Sequence, residues 1–205
     1  MASETVAVPW WQNLTACCNT CVTRKIGSLI PESSKSLTNS RRVVVLGSPE
    51  CGKSRILSLI SDSNGTSTSY KATNGTATTR LQHGDLSMGF VEVGGSLRGF
   101  WSRTVDAKVS CVWYLLTRGE FDGRDFATLS AFFNEASTTI NTHRIPIVVS
   151  VLEGSGLNVG DVENVIMAAV SDCGVFVTPS ITMVGSFEKS SLIPSVDVVA
   201  SKLAN

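Results

Sequence analysis

The stretch VVVLGSPECGKSRIL, residues 43–57, decides the architecture of this chain. Gly47, Gly52, Lys53 and Ser54 fit the spacing G-x-x-x-x-G-K-[ST]. The loop Gly47, Ser48, Pro49, Glu50, Cys51 and Gly52 would wrap so that backbone N–H groups point inward at phosphate oxygens. Lys53 would reach the β- and γ-phosphates, and the Ser54 hydroxyl would ligate Mg²⁺. Before the loop, the continuous apolar run Val43 to Leu46 reads as a buried strand. After it, Ser54 to Ile60 reads as a helix with Ile56, Leu57, Leu59 and Ile60 available for a core. The dipole of that helix adds to the anion site at its N-terminus. Cys51, inside the loop, reads as a small inert residue.

The chain has 205 residues and 42% hydrophobic content, enough for one well-buried domain and an extension. Its 17 basic and 17 acidic residues cancel, which argues against nucleic-acid binding, since that requires a cationic footprint. No apolar run is long enough to span a bilayer, and the N-terminus lacks the layout of a signal peptide. Six unevenly placed cysteines do not make a disulfide scaffold, so a reducing, cytoplasmic setting is expected. His83 and His143 are isolated residues, and a zinc site lacks a fourth ligand beside Cys17, Cys18 and Cys21.

From Arg41 onward, strand and helix patterns alternate. Strands are expected at 42–46, 77–82, 86–93, 109–116, 145–152 and 174–178, and helices at 54–61, 124–137, 161–171 and 195–203. A polar gap separates the first helix from the second strand, and "HGD" at 83–85 marks a hairpin. This order predicts a doubly wound, mostly parallel α/β sheet with one antiparallel edge hairpin and its ligand at the carboxyl ends of the strands. Residues 1–40 form a separate region of amphipathic helix and polar linker, preceding a domain over 41–205. Trp10, Leu14, Cys17 and Cys21 lie at helical spacing behind Pro9.

Two further segments narrow the class. "FVEVGGSLRGFW", residues 90–101, resembles the W-D-V-G-G-Q region of the ADP-ribosylation-factor (Arf) and Arf-like small GTPases, in a divergent form with Glu92 in place of the aspartate. "ATNGT", residues 72–76, resembles their P-T-x-G switch segment, with Ala72 for the proline. The resemblance covers residues 41 to about 203 and implies a Ras-like P-loop NTPase fold that binds GTP or GDP with Mg²⁺. It implies that Thr73 completes the Mg²⁺ shell when a γ-phosphate is present, that Glu92 supports the ion through water, and that the Gly95 N–H senses the γ-phosphate. Effectors would then bind through residues 70–80 and 94–104.

Two departures limit what the resemblance implies. Ser96 stands where the family has the glutamine that orients attacking water, and a serine is too short for that, so hydrolysis is expected to be slow or absent. The family's N-K-x-D is replaced by Ser150, Val151, Leu152 and Glu153, where Glu153 alone keeps a carboxylate, so discrimination of the base is weakened. Thr182 and Met183 stand near the second base-contact loop without its usual S-A-K. At the N-terminus, Ala2 excludes the family's myristoylation. Trp10, Trp11, Arg24 and Lys25 suit a bilayer interface over residues 9–26, where Cys17, Cys18 and Cys21 are candidates for lipidation. A helix packed on the domain explains the same residues.

The expectation is therefore an atypical Arf-like GTP-binding switch in membrane or ciliary traffic, cytoplasmic with peripheral membrane contact. The alternative is a nucleotide-insensitive pseudo-GTPase scaffold. A small-molecule or nucleoside kinase ranks third, because the chain after residue 105 offers only the scattered Arg118, Arg124 and Arg144 for a phosphate-neutralising lid.

Overall fold

The apolar run that opens the phosphate-loop motif lies at the centre of the sheet. In the computed structural model, which describes residues 40–61, 73–117, 124–152 and 159–204, β1 (Arg41–Leu46) pairs in parallel with β3 (Leu86–Val93) and with β4 (Val109–Thr117). Adding β2 (Thr76–His83), β5 (Ile147–Leu152) and β6 (Ser180–Val184) gives a six-stranded sheet in the order β2-β3-β1-β4-β5-β6. Only β2 and β3 run antiparallel, with His83 opposite Leu86 across a two-residue Gly84–Asp85 turn. This is the doubly wound, mostly parallel sheet with one edge hairpin that the sequence pattern predicts. The expected N-terminal helix, its cysteines, the linker, Ala72 and Glu153 lie outside the described residues.

Helices cover both faces of the sheet, which is why β1 reads as unbroken apolar sequence rather than as an alternation. Val43 and Val45 share a core with Cys111, Trp113 and Leu115, roofed by Ile56, Leu57 and Ile60 of α1 (Lys53–Ser61) and by Val196 and Val199 of α4 (Lys189–Ala204). Val44 and Leu46 share the opposite core with Tyr114 and Leu116. That core is closed by Phe132, Phe133 and Ile140 of α2 (Arg124–His143) and by Val162 and Ile166 of α3 (Val159–Asp172). Trp101, from a 3-10 segment over Gly95–Thr104, is fully buried there and meets Tyr114 edge-on at 5.9 Å between ring centroids.

Three boundaries differ from expectation by more than two residues. The last strand is Ser180–Val184, not 174–178. Phe176 of the expected strand is 86% exposed, and its N–H bonds the Asn141 side chain instead of a neighbouring strand. Pro179, which has no N–H, ends that first apolar run, and the second run pairs with β5 from Val148↔Ser180 to Leu152↔Val184. The last helix begins at Lys189, ahead of Pro194. Proline removes one helical hydrogen bond, but the fully buried Leu192 holds the extra turn onto the core. Finally, α2 continues past 137 to His143, so that Ile140 is buried as well.

Candidate functional site

The chain leaves β1 toward β2 and β3 on one side and returns to β4 on the other, so the carboxyl end of β1 is the switch point of the sheet, where such folds bind ligands. The loop 47–52 stands there. Lys53, only 5% exposed, turns back over it and donates to the Gly47 carbonyl at 2.7 Å and the Ser48 carbonyl at 2.8 Å. An ammonium carries three N–H donors, and the third has only the weak acceptor Cys51 Sγ at 3.6 Å. A buried cation set among neutral dipoles is stabilised by an anion. The Ser48 hydroxyl is also buried and has no hydrogen-bond partner. Both observations suit a polyanion lying in the loop.

Next to the lysine, three side chains from three elements converge. Ser54 lies in the first turn of α1, Glu92 lies near the end of β3, and Thr73 precedes β2. Ser54 Oγ donates to Glu92 Oε1 at 2.7 Å, Thr73 Oγ1 donates to the same oxygen at 2.8 Å, and the two hydroxyls lie 3.1 Å apart. Glu92 is buried, at 4% exposure. A hard-oxygen set of one carboxylate and two hydroxyls suits Mg²⁺ and not a soft metal. The 3.1 Å between the two hydroxyls also suits it, since adjacent ligands of an octahedral Mg²⁺ with its short bonds lie ~2.9 Å apart.

Backbone approach explains the double glycine. A Cβ on Gly94 would lie 2.3 Å from the Thr73 carbonyl oxygen, and one on Gly95 would lie 2.3 Å from the Pro49 nitrogen. Gly94 N–H bonds the Gly75 carbonyl at 2.8 Å, and Trp101 Nε1 bonds the Gly94 carbonyl at 3.3 Å. The Thr73 segment, the double glycine and the phosphate loop thus meet main chain to main chain, anchored to the core through Trp101.

The chain aligns with a solved small GTPase, Arl6 (BBS3) of Trypanosoma brucei, determined with the bound nucleotide analogue GppNp. The TM-score is 0.63 over 80% of this chain and 98% of that one, at 12% sequence identity. This is a small-GTPase fold. No protein-family model matches the sequence, and no curated protein matches it.

Within the small-GTPase fold, the other expected site residues divide. Pro49 and Glu50 are exposed at the loop tip, and Glu50 takes a left-handed backbone angle (φ 65). Cys51 is buried under the loop. Ser96 is exposed at the start of the 3-10 segment. Ser150 is fully buried, so it does not face a ligand. It accepts from Trp113 Nε1 at 2.8 Å and bonds Thr182 Oγ1 at 2.7 Å, which in turn bonds Ser195 Oγ at 2.8 Å. Met183 packs against the α2–α3 core. His143 is exposed, whereas His83 Nε2 pairs with Asp197 of α4 at 3.0 Å. Sequence reasoning missed Phe187, whose ring rests on Gly52; a single aromatic residue after the last strand belongs to no motif.

Proposed function

We propose that this chain is an Arf-like nucleotide switch that binds GTP and GDP with Mg²⁺, hydrolyses slowly or not at all, and signals by binding effectors in membrane or ciliary traffic. The carrying observation is the convergence of Ser54, Thr73 and Glu92 beside the buried, carbonyl-anchored Lys53. In this reading the Ser54 and Thr73 hydroxyls hold Mg²⁺ and Glu92 supports it through water, while the ion offsets phosphate charge. Thr73 and Gly95 come from the two segments that join at Gly94, so one terminal phosphate would order both. The edge strand β2 exposes Ala77, Thr78 and Arg80, a backbone edge to which an effector can add. That Arl6 was solved with a GTP analogue supports the choice of nucleotide. Ser96, too short to hold water in line, supports slow turnover, below the ~10⁻⁴ s⁻¹ of unassisted Ras-type sites. Residues 1–40 are proposed as a separate anchoring region, with cytoplasmic and peripheral membrane location.

The buried Ser150 favours a second reading, a pseudo-GTPase scaffold indifferent to nucleotide. Calorimetry with Mg·GTP and Mg·GDP separates the two. A switch binds both and senses the γ-phosphate. Lys53→Ala should then weaken GTP by about 10- to 150-fold, the range for a charged hydrogen bond. Unchanged affinity in that variant, or no binding by the wild type, leaves the scaffold.

A further inference from the structure

The phosphate loop meets different chemistry on its two sides. Toward β3 stand Thr73, Glu92 and Gly95, the oxygens and the close-packed backbone described above. On the other side, the turn after β6 lays Phe187 directly on the loop. Its Cε1 and Cζ lie 2.5 and 2.6 Å from where a Cβ of Gly52 would be, while Cδ1 is 3.7 Å away, so the ring touches the loop by its edge. The Arg55 guanidinium lies over the ring, 4.6 Å from its centroid. Phe187 is half-buried at the margin of the core under α1 and α4.

A triphosphate has a direction in such a site. With its terminal phosphate at Gly95 and the hard oxygens, its nucleoside end must leave the loop on the opposite side, past Gly52 and Phe187. Among the described residues aligned with the family's base contacts, Ser150 is fully buried, and its hydroxyl and that of Thr182 are engaged with Trp113 and Ser195. What the described residues offer is a flat, partly buried ring with its edge against the loop backbone and a cation over one face. Every nucleobase has a flat face, and stacking on an aromatic ring does not depend on the base's hydrogen-bonding edge. Arg55 adds cation–π support.

We propose that Phe187, braced by Gly52 and Arg55, is the nucleobase platform of this site, and that it takes purine nucleotides by stacking without hydrogen-bond selection between guanine and adenine. This rests on the nucleotide-switch reading and names how that site treats the base.

The test is calorimetry of the full chain with Mg²⁺ and three probes, namely GTP, ATP and inorganic tripolyphosphate. GTP and ATP should bind the wild type within about tenfold of each other. Phe187→Ala and Phe187→Leu should each weaken both nucleotides by about 5- to 150-fold, the span of base–aromatic stacking, and shift tripolyphosphate by less than about twofold. Phe187→Trp should stay within a few-fold of wild type. Leucine keeps bulk against Gly52 but has no aromatic face, so it separates stacking from packing. Nucleotide binding that is unchanged or tighter in Phe187→Ala overturns the proposal, because the ring is then a bystander or an obstruction. Parallel loss of tripolyphosphate also overturns it, since the ring then only supports the loop. A wild-type preference for GTP over ATP of a hundredfold or more reveals a polar base code and defeats the permissive claim. Failure of the wild type to bind even tripolyphosphate is a different result, which removes the phosphate site itself and the switch reading with it.

Discussion

Gly95 has no room for a methyl group. Its Cβ would fall 2.3 Å from Pro49 N and 2.6 Å from Pro49 Cα, and backbone cannot yield as a flexible side-chain end can. Gly95→Ala should push the 3-10 segment off the phosphate loop and leave Trp101 seated in the core. The expected outcome is GTP affinity falling to that of GDP, with a thermal midpoint within a few degrees of wild type. Retained preference for GTP, measured by titrating both nucleotides, would show that this contact does not sense the γ-phosphate. The motif residues were legible singly in the sequence because their types are chemically demanding: a lysine and a hydroxyl beside paired glycines. Their meeting was legible only through resemblance, since Ser54, Thr73 and Glu92 are far apart in the chain. Phe187 was not legible, because its role depends on which loop its ring lands upon.

Two helix ends show how local chemistry stops an element. After α3, Val175 N–H bonds Val170 O at 3.2 Å and Gly174 N–H bonds Ser171 O at 2.8 Å, with Gly174 at φ 70. After α2 the same pattern recurs, Ile145 to Ile140 at 3.0 Å and Arg144 to Asn141 at 3.3 Å, but the left-handed position is Arg144 at φ 50. Both are Schellman endings, one with the favoured glycine and one without. Arg144→Gly should relieve a strain of about 1 kcal/mol, partly offset by the added freedom of the unfolded chain, and raise the thermal midpoint by roughly 1–3 °C. Gly174→Ala should lower it by a similar amount. A fall in the midpoint of Arg144→Gly would mean that the side chain does something the backbone angle does not reveal. At this scale the strands and helices were legible from apolar periodicity, and so was the hairpin, because "HGD" supplies its own turn. The last strand was misplaced because VFV and ITMV are equally apolar. Pairing with β5 chose between them, and that is a tertiary contact.

Across the whole molecule, the sheet is sealed on both faces, and Cys111 of β4 reports how dry one of them is. Burial pushes its thiol from 9.0 up to about 12, with Lys202 acting weakly the other way. Below pH 9 the thiol keeps its proton in folded and unfolded chains alike, and stability does not depend on it. Between pH 9 and 12 the unfolded chain releases that proton while the folded chain retains it, so stability falls as pH rises. Cys111→Ala removes this linkage. Its thermal midpoint, although lower from lost packing, should decline less steeply between pH 9 and 11 than the wild type's; parallel slopes would mean that the thiol is hydrated after all. By itself the sequence determined the alternation of strands and helices and the phosphate loop between the first of them, because residue type and short-range spacing carry these. Only the tertiary structure decided that Thr73 and Glu92 reach Ser54, that Ser150 turns inward, and that Phe187 lies on Gly52. Those facts depend on register and on which distant backbones approach within van der Waals contact, and no local pattern encodes that.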